Sequence, residues 1–404
     1  MSLSFLSNLF NIWKTSFSGL SRNIWLLTLV NFVNRMGSMV IVFLPLYLPE
    51  NHLGKIETGM VMSCYGIGSV CGNFLGGKLT DKYGFFWVQT FSLFFNGIVL
   101  IAMNYATTFY QLSFMVFMMS FVGDMFRPAN SAAVSFFSSS ETRTRSFSLI
   151  RLAFNLGWTI SPAIGGILIH YFGWSLMFFV DGFTCIIASI VVYKIFYHHQ
   201  VGGIGEQEIK KLKETAVNSI SIWKDSSFLY FIFLTFLNAF VFMQLLWTIP
   251  VFFKESLSFN EAQVGLMISI NGFIVATIEM PLIYSIENQK NPKYWIKMGL
   301  ILYSLSFLVL NLPIWGFAAA LLCTIGLSFG EILVMPFSSN YVSQKAGWDN
   351  IGQYMAFYSI AYSLANILAP LAGTSIVAEY GYTTLWYFIG ILAMMVYFGF
   401  RWVK

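Results

Sequence analysis

The feature that most constrains this chain is a series of apolar segments, each long enough to cross a lipid bilayer. A helix needs about 20 predominantly apolar residues to do so. Helices are predicted rather than barrel strands, because transmembrane strands are shorter and alternate apolar with polar residues. We identify twelve segments: 24–48, 57–80, 85–105, 109–137, 146–170, 174–196, 227–253, 261–286, 293–311, 314–341, 350–378 and 382–402.

The composition of the chain excludes several classes of protein. Hydrophobic residues make up 57% of the sequence and charged residues only 10%, whereas soluble domains carry roughly 25% charged residues. A soluble enzyme, a disordered chain and a nucleic-acid-binding protein are therefore not expected. The four cysteines and four histidines lack metal-site spacing, and the sequence has no P-loop or nucleophile–base pair. We predict no metal, no cofactor and no enzymatic activity.

Lysine and arginine are distributed unevenly between the two ends of the predicted bundle. With the N-terminus inside, seventeen of these 22 residues fall on one side, and only Lys55 and Lys254 fall in loops on the other. Because cytoplasmic loops are enriched in lysine and arginine, the richer side is predicted to be cytoplasmic and to hold both termini. We call it the inner end, and the opposite side the outer end. Compact loops favour a multi-pass protein of the bacterial plasma (inner) membrane.

The two parts of the sequence resemble each other at a nearly constant offset, which indicates a duplication common in transporter folds. We predict an all-α membrane protein whose twelve transmembrane helices form two pseudo-symmetric six-helix halves. The predicted divisions are an N-terminal amphipathic segment (1–23), a first half (24–197), a cytoplasmic linker (198–226) and a second half (227–404). Matching residues 206 to 208 positions apart include Gly59 and Gly265, Asp124 and Glu331, Pro162 and Pro370, and Gly173 and Gly381.

Ionisable residues inside the apolar segments point to a functional site. Each costs about 2.5–3.5 kcal/mol at a helix centre on insertion scales, so it needs a partner or a water-filled cavity. Glu331, in the middle of the tenth segment, is predicted to carry protons, because burial favours the neutral form of a carboxyl group. Asp124 is predicted to assist it. Asp181, near the outer end of the sixth segment, is expected to be solvated. The seven residues are Arg35, Asp124, Arg127, Arg151, Asp181, Glu279 and Glu331.

Polar and aromatic side chains on several segments are candidates for substrate binding. In the first segment, Asn31, Asn34 and Arg35 share one helical face, which is expected to point into a central cavity. Arg35 is expected to anchor a carboxylate or to pair with Asp124 or Glu331, and Arg127 can pair with Asp124 three residues earlier. An aromatic and polar wall suits amphipathic or cationic ligands. Its candidate residues are Trp158, Trp247, Asn271, Tyr354 and Tyr358.

The loop after the second segment carries the sequence Gly77-Lys78-Leu79-Thr80-Asp81-Lys82-Tyr83-Gly84. It resembles the G-x-L-x-D-[RK]-x-G signature of the major facilitator superfamily, and the resemblance covers the whole chain. The likeness implies the major facilitator fold and a gating role for Gly77, Asp81, Lys82 and Gly84. The chain departs from the pattern at Phe85-Phe86, where relatives usually have two basic residues.

A second motif lies in the fifth segment, where Ser161-Pro162-Ala163-Ile164-Gly165-Gly166 resembles the antiporter motif of the superfamily, with serine in place of its first glycine. The motif is usual in exporters, and the resemblance gives Pro162, Gly165 and Gly166 a gating role. Close packing of small residues explains the same pattern. Arg151, nearer the inner end, is expected to pair with Asp81 or to brace the inner gate.

Two branches of the superfamily share features with this chain. The fifth segment and Glu331 resemble drug:proton antiporters, which implies proton-driven efflux of amphipathic or cationic compounds. Arg35, Arg127 and Glu331 resemble parts of the proton-dependent oligopeptide transporters, which implies symport of peptides or other zwitterions. A non-transporting sensor on the same fold is the third alternative. The predicted partners are a small-molecule substrate, protons and the lipid bilayer, and a monomer is expected.

Overall fold

A computed structural model of the protein describes residues 19–139, 142–197, 225–286, 289–312 and 315–403, and these residues fold into helices without β-strands. The predicted amphipathic segment lies almost wholly outside the described residues, as does most of the predicted linker. We number the membrane spans in chain order. Spans 1 to 6 are Arg22–Met36 with Met39–Glu50, Lys55–Tyr83, Phe85–Met103, Phe109–Asp124 with Phe126–Phe137, Arg143–Phe172, and Trp174–Phe196.

The second part of the chain continues with span 7 (Ser226–Trp247 with Ile249–Glu255), span 8 (Glu261–Ile286) and span 9 (Pro292–Val309). Helical structure then runs without a gap over 84 residues, Gly316–Gly399. A straight helix of that length would measure about 126 Å at 1.5 Å per residue, about four times the hydrocarbon core. The segment must therefore fold back on itself.

Contacts within the Gly316–Gly399 segment show where it turns. Gly330 and Gly390 pack against different levels of span 9. Tyr354 stacks on Phe228 at the start of span 7, and Gly399 lies against Tyr230 of the same helix. Tyr354 and Gly399 therefore lie at the same end of the bundle, and the chain between them crosses the bundle twice. It turns at Gly381, whose φ of 79° is a conformation that favours glycine. We call Gly316–Val342 span 10, and the two passes after it spans 11 and 12.

The helices account for a bundle of twelve spans. Nine stretches of the described chain are long and apolar enough to cross a membrane, one of them the doubly crossing Tyr354–Gly399. Lys55–Tyr83 and Pro292–Val309 are not among the nine, but they pack within the bundle against spans 4 and 10. The all-α architecture is as the sequence predicts, and the span count is consistent with the prediction.

Span 1 is interrupted at Gly37–Ser38, and a buried carboxylate stabilises the interruption. The Asp181 carboxylate accepts hydrogen bonds from the backbone N–H groups of Met39 (3.1 Å) and Val40 (2.7 Å). These donors begin a new helix and would otherwise lack a partner. Asp181 is only 1% exposed, so the expectation that it is solvated was wrong. Its carboxyl group caps the second helix of span 1 from span 6.

We expect Asp181→Asn to destabilise the protein. Asparagine keeps one acceptor oxygen but presents an NH₂ group to the other backbone N–H, and a buried donor without a partner costs about 1–3 kcal/mol. Thermal unfolding in detergent, followed by intrinsic fluorescence, should show a lower midpoint for this variant. Glu379→Gln, at an exposed carboxylate, is the matched control. Equal midpoints for the two variants would contradict the capping role.

Candidate functional site

The predicted proton-carrying residue, Glu331, lies in a polar cluster between spans 8, 10 and 11. It is half-buried, and its Oε2 accepts a hydrogen bond from Asn271 Nδ2 at 3.2 Å. The same amide group donates to Ser328 Oγ at 3.0 Å. The predicted substrate residue Asn271 therefore orients the carboxylate. Within the described part of the chain, Glu331 has no ion-pair partner within 4.0 Å.

Tyrosine side chains complete the surroundings of Glu331. The hydroxyl groups of Tyr358 and Tyr362 on span 11 lie 3.4 Å apart, and both residues are half-buried. Tyr303 of span 9 is buried, and no hydrogen-bond partner for its hydroxyl is found among the described residues. Tyr303 and Tyr362 interact electrostatically with Glu331. The carboxyl group thus lies near tyrosine hydroxyl groups of spans 9 and 11.

An ion pair joins the two halves on the inner side of this cluster. Arg151 Nη2 of span 5 pairs with Glu279 Oε1 of span 8. Arg151 does not pair with Asp81, which was one expected partner. It joins the two halves instead, in agreement with the other expectation that it braces the bundle. The Arg151 side chain is 54% exposed, whereas that of Glu279 is 7% exposed. Arg151 also lies within electrostatic range of Glu331 and Tyr358.

A second polar cluster lies inside the first half, around Asp124. The Asp124 carboxylate accepts a hydrogen bond from Ser69 Oγ and pairs with Arg127 Nε at 2.8 Å, so the expected pair three residues apart forms. Arg35 does not pair with Asp124 or Glu331 as expected. Its guanidinium lies over the Phe154 ring at 4.6 Å, and its Nε has no hydrogen-bond partner in the described chain.

A cavity of about 80 Å³ lies between these groups and span 6. Asn34 lines it, and its Oδ1 accepts a weak hydrogen bond from Cys185 Sγ at 3.6 Å. Asn31 is fully buried and donates to Asn130 Oδ1 of span 4 at 2.8 Å. The polar face of span 1 therefore turns partly into the first half rather than wholly into a central cavity, because Asn31 and Asn34 bind residues of spans 4 and 6.

The aromatic candidates separate into different environments. Trp247 is fully buried, its indole N–H donates to Asn366 Oδ1 at 2.9 Å, and its ring meets Tyr65 of the first half at 5.7 Å. Tyr354 is also buried, and its hydroxyl donates to Asp225 Oδ2 at 3.2 Å. Of the two predicted tyrosines only Tyr358 lies beside Glu331. Trp158 is half-buried and packs against the main core.

The outer end of the bundle is closed by ion pairs between the halves. Lys55 pairs with Glu255 at 2.9 Å and Lys254 with Glu50 at 2.8 Å. Glu261, at the start of span 8, lies 3.7 Å from His170 of span 5. Farther in, Ser63 Oγ of span 2 donates to the Ile367 carbonyl of span 11 at 2.7 Å. Spans 2 and 11 are therefore in direct contact near the outer end.

Small residues of span 5 provide a second close contact between the halves. A Cβ on Gly166 would lie 2.4 Å from the Glu261 carbonyl oxygen of span 8, and one on Gly265 would lie 2.2 Å from the Pro162 carbonyl oxygen. A Cβ on Gly165 would instead meet Phe43 of span 1 at 2.9 Å. The three predicted gating residues of span 5 thus lie in tight contacts, and two of them lie where the halves meet.

The signature loop, residues 77–84, is packed less tightly than these contacts. Gly84 ends span 2 with φ of 84°, which makes the tight turn that glycine allows. Asp81 and Lys82 are exposed, and a Cβ on Gly77 would meet nothing within 4 Å among the described atoms. The close approach to span 4 is made by Gly76 instead, whose Cβ would lie 2.6 Å from Met125 Cα. The structure therefore shows no tight contact at Gly77.

These contacts define an inward-facing arrangement. The halves touch along the outer parts of spans 2, 5, 8 and 11. Arg127 and Arg151, both within membrane spans, have side chains 49% and 54% exposed. Because an arginine inside a membrane protein faces a partner or water rather than lipid, both indicate space that water can reach. Glu331 lies inward of the outer contacts and is half-buried.

The sequence matches the family model of the Major Facilitator Superfamily over residues 24–370. The chain belongs to the major facilitator superfamily. Members of this superfamily are membrane transporters, and the signature loop and the twelve-span architecture agree with the match.

Relatives of the chain include a cation/proton antiporter and a multidrug resistance protein. The chain is 24% identical to a Na⁺, Li⁺, K⁺/H⁺ antiporter of Planococcus maritimus, with 92% of this chain and 93% of the relative covered. It is 21% identical to multidrug resistance protein 1 of Bacillus subtilis, with 85% and 86% covered. The crystal structure of a POT family transporter in complex with 5-aminolevulinic acid matches with a TM-score of 0.79 at 15% identity, covering 95% and 96%. That structural likeness shows the fold.

Some residues of the site were missed by reasoning from the sequence alone. Ser328 lies three residues before Glu331 on the same helical face, a spacing that could have identified it. The partnership of Arg151 with Glu279 had no sequence signal, because the two residues are 128 positions apart and meet only when the halves pack.

Proposed function

We propose that this transporter is a proton-coupled antiporter that exports cationic or amphipathic compounds through alternating access. The single observation that carries the proposal is the Glu331 carboxyl group. It lies at mid-span, is half-buried, accepts a hydrogen bond from Asn271 at 3.2 Å, and lacks an ion-pair partner within the described chain. Such a group can be neutralised either by a proton or by a cationic substrate.

Competition for one carboxyl group accounts for coupling. An ionised and unpaired Glu331 is costly inside the membrane, so the halves rearrange readily only when a proton or a cation neutralises it. In the inward-facing state, Glu331 releases its proton to the cytoplasm and binds the cation. After the rearrangement, an external proton displaces the cation. The neighbouring Tyr358 and Tyr362 rings can contact a bound cation through their faces.

The proposal also agrees with the names of two relatives. One relative exchanges monovalent metal cations for protons, and another is named for multidrug resistance. Both descriptions fit a cation that competes with a proton. We propose further that the protein resides in a bacterial plasma membrane as a monomer, with both termini in the cytoplasm, as the lysine and arginine distribution predicts.

A second candidate function, proton-coupled symport of peptides or other zwitterions, is favoured by one observation. Arg35 Nε lacks a hydrogen-bond partner in the described chain, and Arg127 lies close enough to interact with it electrostatically. Arg35 and Arg127 in the first half would suit the carboxylate of a zwitterion, and Glu331 in the second half would suit its amine. The structural likeness to a POT family transporter supports the same alternative.

Purified protein in liposomes that contain a pH-sensitive dye separates the two functions. Without an imposed gradient, sodium chloride, potassium chloride, tetraphenylphosphonium chloride and dialanine are added in turn, with choline chloride as the control. Antiport predicts that an added cation makes the lumen more alkaline. Symport predicts that dialanine makes it more acidic. No response to any compound would argue against both proposals and would favour the sensor alternative.

A further inference from the structure

Arg151 occupies a position from which it can reach carboxylates on two different spans of the other half. It pairs with Glu279 of span 8 and interacts electrostatically with Glu331 of span 10. Its side chain is 54% exposed, so it can move without unpacking a core. Glu279, by contrast, is 5% exposed and fixed in span 8.

The packing of spans 5 and 8 limits the motion to the Arg151 side chain. The two spans run antiparallel, and a Cβ on Gly272 would lie 3.0 Å from Thr159 Cα. Gly265 meets Pro162 in the same way farther out. These backbone contacts hold the spans together at the level of Asn271 and Glu331. Arg151 lies two turns inward from Thr159, at the inner margin of the contact.

The charged and titratable groups around Glu331 are few in the described chain. Span 5 contributes Arg151, and span 8 contributes Glu279 beyond the neutral Asn271. Spans 9 and 11 contribute the hydroxyl groups of Tyr303, Tyr358 and Tyr362. Arg151 is therefore the cation in this set, and two carboxyl groups compete for it.

We propose that Arg151 is a switching residue, which pairs with Glu279 while Glu331 is protonated and turns to Glu331 when that carboxyl group is ionised. The proposal rests on the proposed role of Glu331 as the proton carrier. When it pairs with Glu331, the Arg151 guanidinium neutralises the carboxylate as a cationic substrate would. It favours release of the proton on the inner side, and an incoming cation must displace it.

The switch makes the ion pair between the halves depend on the proton. While Glu331 is neutral, the Arg151–Glu279 pair joins spans 5 and 8 at their inner parts. When Glu331 ionises, that pair opens and Glu279 loses its partner. Protonation in the second half is thereby transmitted to the interface with the first half through one side chain.

Carboxyl labelling measures the predicted competition without a substrate. Dicyclohexylcarbodiimide reacts with protonated carboxyl groups in apolar surroundings. The purified protein in detergent is treated between pH 5 and pH 9, and mass spectrometry quantifies the adduct on the peptide that contains Glu331. The extent of labelling against pH gives the midpoint of protonation for this residue. Wild type, Arg151→Gln, Arg151→Lys and Glu279→Gln are compared.

The two neutral substitutions are expected to move the midpoint in opposite directions. Arg151→Gln removes the cation that favours ionised Glu331, so the midpoint should rise by about one pH unit, the low end of the effect of a neighbouring opposite charge. Glu279→Gln frees Arg151 for Glu331, so the midpoint should fall. Arg151→Lys keeps the charge and should stay near wild type.

A purely structural ion pair would give a different result. Both neutral substitutions break the same Arg151–Glu279 pair, and a static pair would also move the midpoint through the charges that are lost. A static pair predicts that Glu279→Gln lowers the thermal unfolding midpoint equally at every pH, whereas the switch predicts that this loss disappears above the labelling midpoint of Glu331. Shifts in one direction, or none, would overturn the switch. If Glu331 in the wild type shows no pH-dependent labelling over this range, the proposed proton-carrying role itself fails.

Discussion

Glu331→Gln is expected to abolish proton-driven uphill transport while leaving part of the downhill exchange intact. Glutamine keeps the size of the side chain and an oxygen that can accept the hydrogen bond from Asn271, which is 3.2 Å long in the wild type. It cannot take up or release a proton, so the pH gradient no longer drives the cycle. The substitution also removes the charge that attracts a cation, so exchange should continue at reduced affinity.

Two assays on the same proteoliposomes test this expectation. The first follows accumulation of labelled sodium or tetraphenylphosphonium, whichever the wild type exchanges, against an imposed pH gradient. The second follows exchange of the same compound at equal pH and equal concentration. Glu379→Gln, which changes an exposed carboxylate, controls for the loss of one charge. Full uphill accumulation by Glu331→Gln would disprove the assignment of Glu331 as the proton carrier.

Gly166→Leu is expected to prevent closure of the outer end and so to arrest the transport cycle. Even a Cβ at this position would lie 2.4 Å from the Glu261 carbonyl oxygen and 3.0 Å from Ala262 Cα. Both contacts are with backbone, which cannot rotate away as a side chain can. Overpacking of this kind costs about 1–3 kcal/mol, which corresponds to about a 5–150-fold change in a two-state equilibrium.

Labelling from the outside measures this shift. Thr58, which is 3% exposed near the outer end of span 2, is replaced by cysteine in a background without the four native cysteines. A membrane-impermeant maleimide should then react faster when Gly166→Leu is added, and transport should fall. Gly54→Ala is the matched control, because its Cβ would have only Glu57 Oε2 nearby, at 3.6 Å. Unchanged labelling with Gly166→Leu would contradict the role of this contact in closure.

The helices were predictable because the signal for a membrane span is strong and local. An apolar segment of sufficient length must form a helix in the bilayer to satisfy its own backbone, whatever its neighbours are. The place where the structure adds most, the break at Gly37–Ser38, depends on a contact with another span. Asp181 caps the break from 142 positions away, and no local pattern indicates such a partner.

The candidate site was predictable in its residue types but not in its pairings. A charged residue in an apolar segment is conspicuous, so Glu331, Asp124 and Arg151 were found from the sequence. Helical spacing also indicated the Asp124–Arg127 pair, because the residues are three apart on one helix. The partners of Arg35 and Arg151 were not found, because each lies on another span. From the sequence alone, Trp247 could equally have lined a cavity or packed where the two halves meet.

The sequence by itself determined that this chain is a twelve-span bundle of two related halves, and its signature loop identified the superfamily. These properties follow from hydrophobic length, charge placement and a local motif, each of which acts within one segment. Only the tertiary structure decided that the outer end is closed, that Asp181 caps span 1, and that Arg151 pairs with Glu279 within electrostatic range of Glu331. Such choices depend on how distant helices approach one another, since a buried charge is stabilised by whichever partner the packing brings within reach.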